Sequence, residues 1–352
     1  MRGLLFLLLL VAPQAPAANA VSTLAGKPGV ADSVDGAGSA ARFTNPKGAA
    51  VDGAGNVYVS DNWCGSVRKV TQDGVVTTLA GPVGRCEFGD ADRAGRAARF
   101  NAPSGVAADS AGNVYVADTE NCKVRKITPA GVVTTVAGVS AGCKYGNLDV
   151  DGPVATARLS MLSGIAVDGA GAIYIASYMA CTVRKIADGV VTTLAGRGNF
   201  CKDRDGAGAE AGFGNPSGVA VDAAGNVYVA DETGQTIRKI TRAGVVTTLA
   251  GSPGVAGSAD GTGAAARFDI PSWVAVDAAG NVYATDYNNH TVRKVTQDGV
   301  ATTLAGVAGH PGIADGAGSA ARFHSPDGIA VDGAGAIYVA DRGNVTVRVV
   351  RQ

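Results

Sequence analysis

One phrase recurs six times along this 352-residue chain, and each copy holds four short apolar runs separated by turn residues. Those two observations predict an all-β fold: a six-bladed β-propeller of four-stranded antiparallel blades. Such repeats bury their hydrophobic faces only against one another, around a common axis. A third observation closes the ring. The last copy stops after three strands, and the missing fourth phrase stands near the N-terminus as Val21-Ser22-Thr23-Leu24-Ala25-Gly26. That segment is expected to be the outer strand of the last blade, because an open ring would leave strand edges unpaired.

The order within each copy is fixed. Strand A reads Gly-Val-Ala-Val or a relative, and its closing Asp sets the register at Asp52, Asp109, Asp168, Asp222, Asp277 and Asp332. A turn of the type Asp-x-x-Gly-Asn follows. Strand B reads Asn-Val-Tyr-Val-Ala, an alternation suited to a pleated, half-buried surface. Strand C reads Thr-Val-Arg-Lys-Ile. Turns such as Gln72-Asp73-Gly74 and Gln297-Asp298-Gly299 lead to strand D, Val-Val-Thr-Thr-Leu-Ala. Asp-Gly adopts positive φ readily and suits a tight hairpin. Nothing between the strands is long and periodic enough for a substantial helix.

Residues 1–20 read as a secretory signal peptide. Arg2 is the positive start, residues 4–11 are the apolar stretch, and Ala18-Asn19-Ala20 fits small-x-small cleavage after Ala20. The apolar run is too short to span a bilayer, which needs about 20 residues. The propeller is therefore expected to occupy residues 21–352, secreted or periplasmic, with no membrane span. The chain carries 30 basic and 30 acidic residues. A balance this even argues against a general nucleic-acid or membrane-surface binder. A monomer is expected.

The phrase Pro-x-Gly-Val-Ala-Val-Asp-x-x-Gly-Asn-Val-Tyr-Val-Ala-Asp, followed by x-Val-Arg-Lys-Ile, resembles the NHL repeat, most clearly at residues 215–240. The added Thr-Leu-Ala-Gly…Ala-Arg-Phe segments resemble secreted NHL-type proteins and teneurin-like propellers. The resemblance implies the fold. It does not choose a function, since this architecture serves binding proteins and enzymes alike.

Each insertion between strand D and the next strand A ends in Ala-Arg-Phe or a relative. Phe43, Phe100, Phe213, Phe268 and Phe323 recur, with Leu159 in the third place. They are expected to anchor the insertions on the blades. The preceding Arg residues, and the Asp that ends most B strands, are read as structural.

Six cysteines allow fifteen pairings, and the repeat selects one. Cys64, Cys122 and Cys181 fall in the B–C loops of blades 1 to 3. Cys86, Cys143 and Cys201 fall in the insertions that follow. These loops emerge on one face of an up-and-down blade, which gives Cys64–Cys86, Cys122–Cys143 and Cys181–Cys201. A zinc site is the alternative, but no Cys-x-x-Cys spacing exists and the leader implies an oxidising compartment.

Candidate ligand-binding residues lie on that face. The position before the strand A glycine should ring the mouth of the axial channel: Lys47, Ser104, Ser163, Ser217, Ser272 and Asp327. Lys47 and Asp327 are placed to pair. Trp273 replaces the next glycine, and an aromatic at a channel mouth suits ligand stacking. Trp63, Tyr178, Met179, Tyr287 and His290 lie in B–C loops. Asp90/Asp92, Asp149/Asp151 and Asp203/Asp205 are carboxylate pairs. Two per loop fall short of the six to eight oxygens of a calcium site, so turn chemistry is the preferred reading and Ca²⁺ the alternative. His290 and His310 occupy nearly the places of a cysteine pair and are the other metal candidates. No other cofactor is expected. Gly36-Ala37-Gly38-Ser39-Ala40-Ala41 mimics a dinucleotide fingerprint, without the strand-to-helix context that motif needs.

Two functions follow. A binding module would use the disulfide-pinned face for a protein, peptide or glycan. A metal-dependent hydrolase or lyase, similar to six-bladed lactonases or amidating lyases, would place its site in the central channel. No catalytic cluster is evident, no catalytic residue is assigned, and the binding module is preferred.

Overall fold

The computed structural model describes residues 19–140, 149–198 and 201–352. It contains six antiparallel sheets arranged in a ring, and among the described residues no α-helix. In blade 1, strand A is Pro46–Val51, B is Val57–Asp61, C is Ser66–Val70 and D is Val75–Ala80. Strand A is innermost, and successive A strands touch around the ring, with Pro326–Val331 of blade 6 beside Pro46–Val51 of blade 1.

The N-terminal strand Ala20–Ala25 pairs with the blade 6 C strand, Thr346–Arg351, as its strand D. Ring closure is therefore as the repeat arithmetic demands. The strand begins at Ala20, one residue before the expected mature start. Residues 1–18, which hold most of the expected leader, lie outside the described residues.

Each blade repeats one set of physical solutions. The Asp after strand A caps its own turn. Asp52 accepts the backbone N–H groups of Ala54 and Asn56, the Asn56 amide and the Tyr58 hydroxyl, at 2.8 to 2.9 Å. The strand A glycines permit close approach of neighbouring blades. A Cβ at Gly48 would sit 2.4 Å from the Ser104 carbonyl oxygen, and one at Gly105 would sit 2.5 Å from that of Ser163. The alternating Val, Ile and Ala residues then fill the space between blades and make an apolar lower channel.

One addition was not legible. In every blade but the second, a two-residue strand from the insertion covers the outer edge of strand D. Gly36–Ala37 does so against Val75 and Val76. The 3-10 turn Gly38–Ala40 follows, so the dinucleotide-like motif serves as an edge cover.

The insertion anchors are buried as expected. Phe43, Phe100, Phe213, Phe268 and Phe323 are fully enclosed, and Leu159 nearly so. Each Phe ring lies under a strand C guanidinium, for example Arg68 at 5.3 Å from Phe43. That guanidinium is buried and binds two or three aspartates. Arg293 reaches Asp286 of strand B at 2.8 Å and Asp260 of the insertion at 2.9 Å. Burial still pushes Asp286 up to about 6, so desolvation outweighs the pull of Arg293 and the hydrogen bonds. These clusters fix where each insertion docks; as buried ion pairs they add little net stability.

Candidate functional site

The upper end of the axial channel opens into a cavity of about 370 Å³. Two columns of the repeat supply its polar lining. The first is the residue before the strand A glycine: Lys47, Ser163, Ser272 and Asp327 reach the cavity. The second is the first residue of the B–C loop in blades 2 to 6: Thr119, Tyr178, Glu232, Tyr287 and Arg342. Met161, Leu162 and Ile270 add an apolar wall. Met161 and Ile270 precede strand A with positive φ, 43° and 57°, which turns the chain sharply into the channel.

Sequence reasoning had the first column, Tyr178 and Tyr287. It missed Glu232, Arg342 and Thr119. Their only signal is position: each follows the last residue of strand B, the column that Tyr178 and Tyr287 also occupy.

Several expectations are corrected. Asp327 does not ion-pair with Lys47. Its carboxylate accepts from Arg342 Nη1 at 3.3 Å and from Ser272 Oγ at 2.5 Å. Arg342 Nε donates to Asn45 Oδ1 at 2.7 Å. Arginine, with its longer fork, reaches Asp327 from the loop above. Trp273 is not an exposed aromatic at the mouth. It is 2 % exposed, clusters with Ile329 and Val339, and lines the apolar lower channel. Strand A descends from the mouth, so the residue after Ser272 already lies inside. Trp63 and Met179 are exposed on the loop face, outside the cavity lining.

The histidines also differ. His290 faces His324, with ring centroids 5.7 Å apart, whereas His310 is exposed and its Nδ1 lies 2.9 Å from the Ala308 carbonyl. His290 Nδ1 accepts the Ser325 N–H at 3.0 Å. Accepting there leaves the proton of the neutral ring on Nε2, so neither nitrogen offers a free lone pair to a metal.

The carboxylate pairs hold guanidinium. Asp151 pairs with Arg184 at 2.5 Å and Asp205 with Arg238 at 2.8 Å. Asp149 meets Arg184 at 2.9 Å and accepts the Ser160 N–H. It thereby replaces the strand B aspartate, which is Ser177 in blade 3. Asp203 stands beside Asp231, both near Arg238. Asp90 and Asp92 pair with Arg125. Among the described residues, no three His, Cys, Asp or Glu side chains gather to hold a metal.

Two expected disulfides are present: Cys64–Cys86 with Cα atoms 4.4 Å apart, and Cys181–Cys201 with Cα atoms 5.3 Å apart. The pair Cys122–Cys143 lies outside the described residues, because Cys143 does.

The cavity perturbs its ionisable groups. Burial and the negative charge of Asp327 push Glu232 up to about 7, against the opposing pull of the Tyr178 and Ser217 hydroxyls and Lys47. Burial holds the Lys47 ammonium below its ordinary value; Asp327 opposes this and Arg342 adds to it. Burial and the Glu232 charge raise the Tyr178 hydroxyl. Titratable groups displaced in a cleft mark it as a functional-site candidate.

Comparison with known proteins agrees with the fold. The NHL repeat family matches residues 100–127, 268–295 and 323–350, and the teneurin NHL domain family matches residues 197–270. The chain is 28% identical to NHL repeat-containing protein 2 of Gallus gallus, over 78% of this chain and 42% of that protein. It is 30% identical to the Bos taurus protein of the same name, over 71% of this chain and 39% of that protein. The chain thus spans about two fifths of these relatives' length. An auxiliary nutrient binding protein from Bacteroides thetaiotaomicron superposes with a TM-score of 0.69 at 17% identity, covering 94% of this chain and 76% of that one. At that identity the likeness is one of fold.

Proposed function

Because the chain is an NHL-repeat protein folded as a closed six-bladed propeller, we propose that it is a binding module whose ligand enters the cavity at the channel mouth. One observation carries this reading. The second column varies from blade to blade, and the first departs from serine at Lys47 and Asp327, while the repeat around them stays nearly constant. Constant residues build the ring, and the varied ones converge on one preformed concavity of a volume typical of small-molecule sites. The Cys181–Cys201 disulfide ties down the lining loop that carries Tyr178, and Cys64–Cys86 ties down the B–C loop of blade 1. They also support an oxidising compartment, hence secretion after cleavage of the leader. No helix of the described residues is long and apolar enough to cross a membrane.

The test is a thermal-shift screen of the purified chain against small metabolites, short peptides and glycans. Hydrogen exchange then maps each hit. Protection of the B–C loops of blades 3 to 6 supports the reading. Protection confined to the opposite face, or no hit in any class, overturns it.

A second reading, a metal-dependent hydrolase or lyase, draws support from Glu232, a carboxyl group near neutrality in the same cavity and suited to proton transfer. Its metal would have Asp327 and Glu232 as the carboxylates of the lining, and Asp327 already holds Arg342. Binding without a resident metal predicts an unchanged melt in chelator; a large fall would favour the second reading.

A further inference from the structure

The charged groups of the cavity are not all partnered alike. Asp327 is satisfied by Ser272 and Arg342, and Arg342 also donates to Asn45. Glu232 has the Tyr178 and Ser217 hydroxyls as neighbours, and the Ser217 hydroxyl donates to the Ser272 carbonyl. Lys47 differs. Among the described residues its ammonium makes no side-chain hydrogen bond, and no carboxylate lies within 4.0 Å of it. An ammonium has three protons to donate and no lone pair to accept with. Lys47 is only partly buried and its ammonium faces the cavity, so an occupant that displaces water there must meet those donors.

Position adds a second constraint. Lys47 belongs to blade 1 and Glu232 to blade 4, which face each other across a six-membered ring. No ion pair joins them, and both line the same cavity of about 370 Å³, a volume that admits a small ligand. Met161, Leu162 and Ile270 supply apolar surface beside that gap. We propose that the cavity takes a small organic carboxylate that also carries a hydrogen-bond donor. The carboxylate would meet Lys47, and a hydroxyl or ammonium would meet Glu232. The inference rests on the channel-mouth reading above and narrows it to a chemical class. Two sources share that chemistry, a sugar acid and a free α-amino acid.

The test is isothermal titration calorimetry of the whole chain with D-glucuronate and with L-leucine. Each is paired with a counterpart lacking the carboxylate charge, the methyl ester of glucuronic acid and L-leucinamide. At least one acid should bind ten-fold or more tighter than its counterpart, and which one does identifies the source. Lys47→Met should abolish that preference while the melting temperature stays near wild type. Equal binding of acid and counterpart overturns the proposal, as does a preference that survives Lys47→Met, or no binding of either acid at millimolar concentration. Equal binding of acid and counterpart at the mouth would leave the channel-mouth reading standing while this inference falls. A second measurement needs no variant. An amine-acylating reagent, read by mass spectrometry, should modify Lys47 in the free protein and be blocked by the bound acid. Unchanged modification at a saturating concentration of an acid that binds overturns the assignment.

Discussion

Asp203 shows how finely one carboxylate can set the balance in a blade. In blade 4, Asp203, Asp205 and Asp231 all reach Arg238, whereas in blades 5 and 6 two aspartates serve each strand C arginine. Burial, then the neighbouring Asp203, pushes Asp231 well above the usual carboxylate range. A carboxyl group with a raised folded value adds stability below its unfolded value, which is lost as the pH rises through the folded one. Asp203→Asn removes the like charge and keeps an oxygen for the Gly214 N–H, now held at 3.0 Å. It should raise stability at pH 7 by about 1 kcal/mol, read from denaturant midpoints, and the gain should vanish near pH 4. An unchanged or lower midpoint at pH 7 would show that the three carboxylates are balanced after all. Little of this was visible in the sequence. The strand B Asp and strand C Arg recur together and were read as structural. The third partner comes from an insertion whose docking no local pattern encodes.

The B–C loop is the element where the copies diverge most usefully. Its last residue is left-handed in each blade: Gly65, Cys122, Cys181, Gln235, His290 and Val345, with φ between 52° and 69°. In blades 1 and 3 a disulfide from this loop holds the next insertion. In blades 4 and 5 a side-chain acceptor takes the amide just before the next strand A. Gln235 Oε1 receives Ile270 N–H at 2.7 Å, and His290 Nδ1 receives that of Ser325. Burial first, then His324, holds His290 below its ordinary value of 6.5. For a histidine whose folded value is depressed, stability is complete above the unfolded value and falls as the pH drops below it. His290→Gln copies the solution of blade 4. The variant should melt like wild type at pH 8 and lose less stability than wild type between pH 6.5 and 5. Parallel pH profiles would remove His290 from this role. The two cysteine pairs among the described residues were legible because they recur at matched places with a rare residue type. Glu232 and Arg342 were not, because nothing but the curvature of the whole ring brings the first loop positions together.

At the scale of the molecule, periodicity alone was enough for the ring, since six copies of a four-strand phrase have few ways to bury their faces. Its closure was legible for the same reason: one copy lacked a strand that stood elsewhere in the chain. Deleting residues 21–26 should be severe. It removes Val21 and Ala25 from the core and exposes the outer edge of Thr346–Arg351. The loss should exceed about 3 kcal/mol, the upper range for one buried aliphatic side chain, and should appear as a lowered melt and early proteolysis of blade 6. A melt equal to wild type would mean that the last blade is stable with three strands.

The pairing of Ala20 with Arg351 has one more consequence. As the chain emerges from a ribosome or translocation pore, the first strand of the propeller to appear is also among the last to find its partner. Until Thr346–Arg351 arrives, the ring is an open arc, and Ala20–Ala25 has no sheet to join. The same adjacency makes the protein a natural candidate for circular permutation. A short turn joining residue 351 to residue 20 would give blade 6 the C–D hairpin that every other blade already has. The chain could then be reopened at another hairpin, moving the seam without changing the circle.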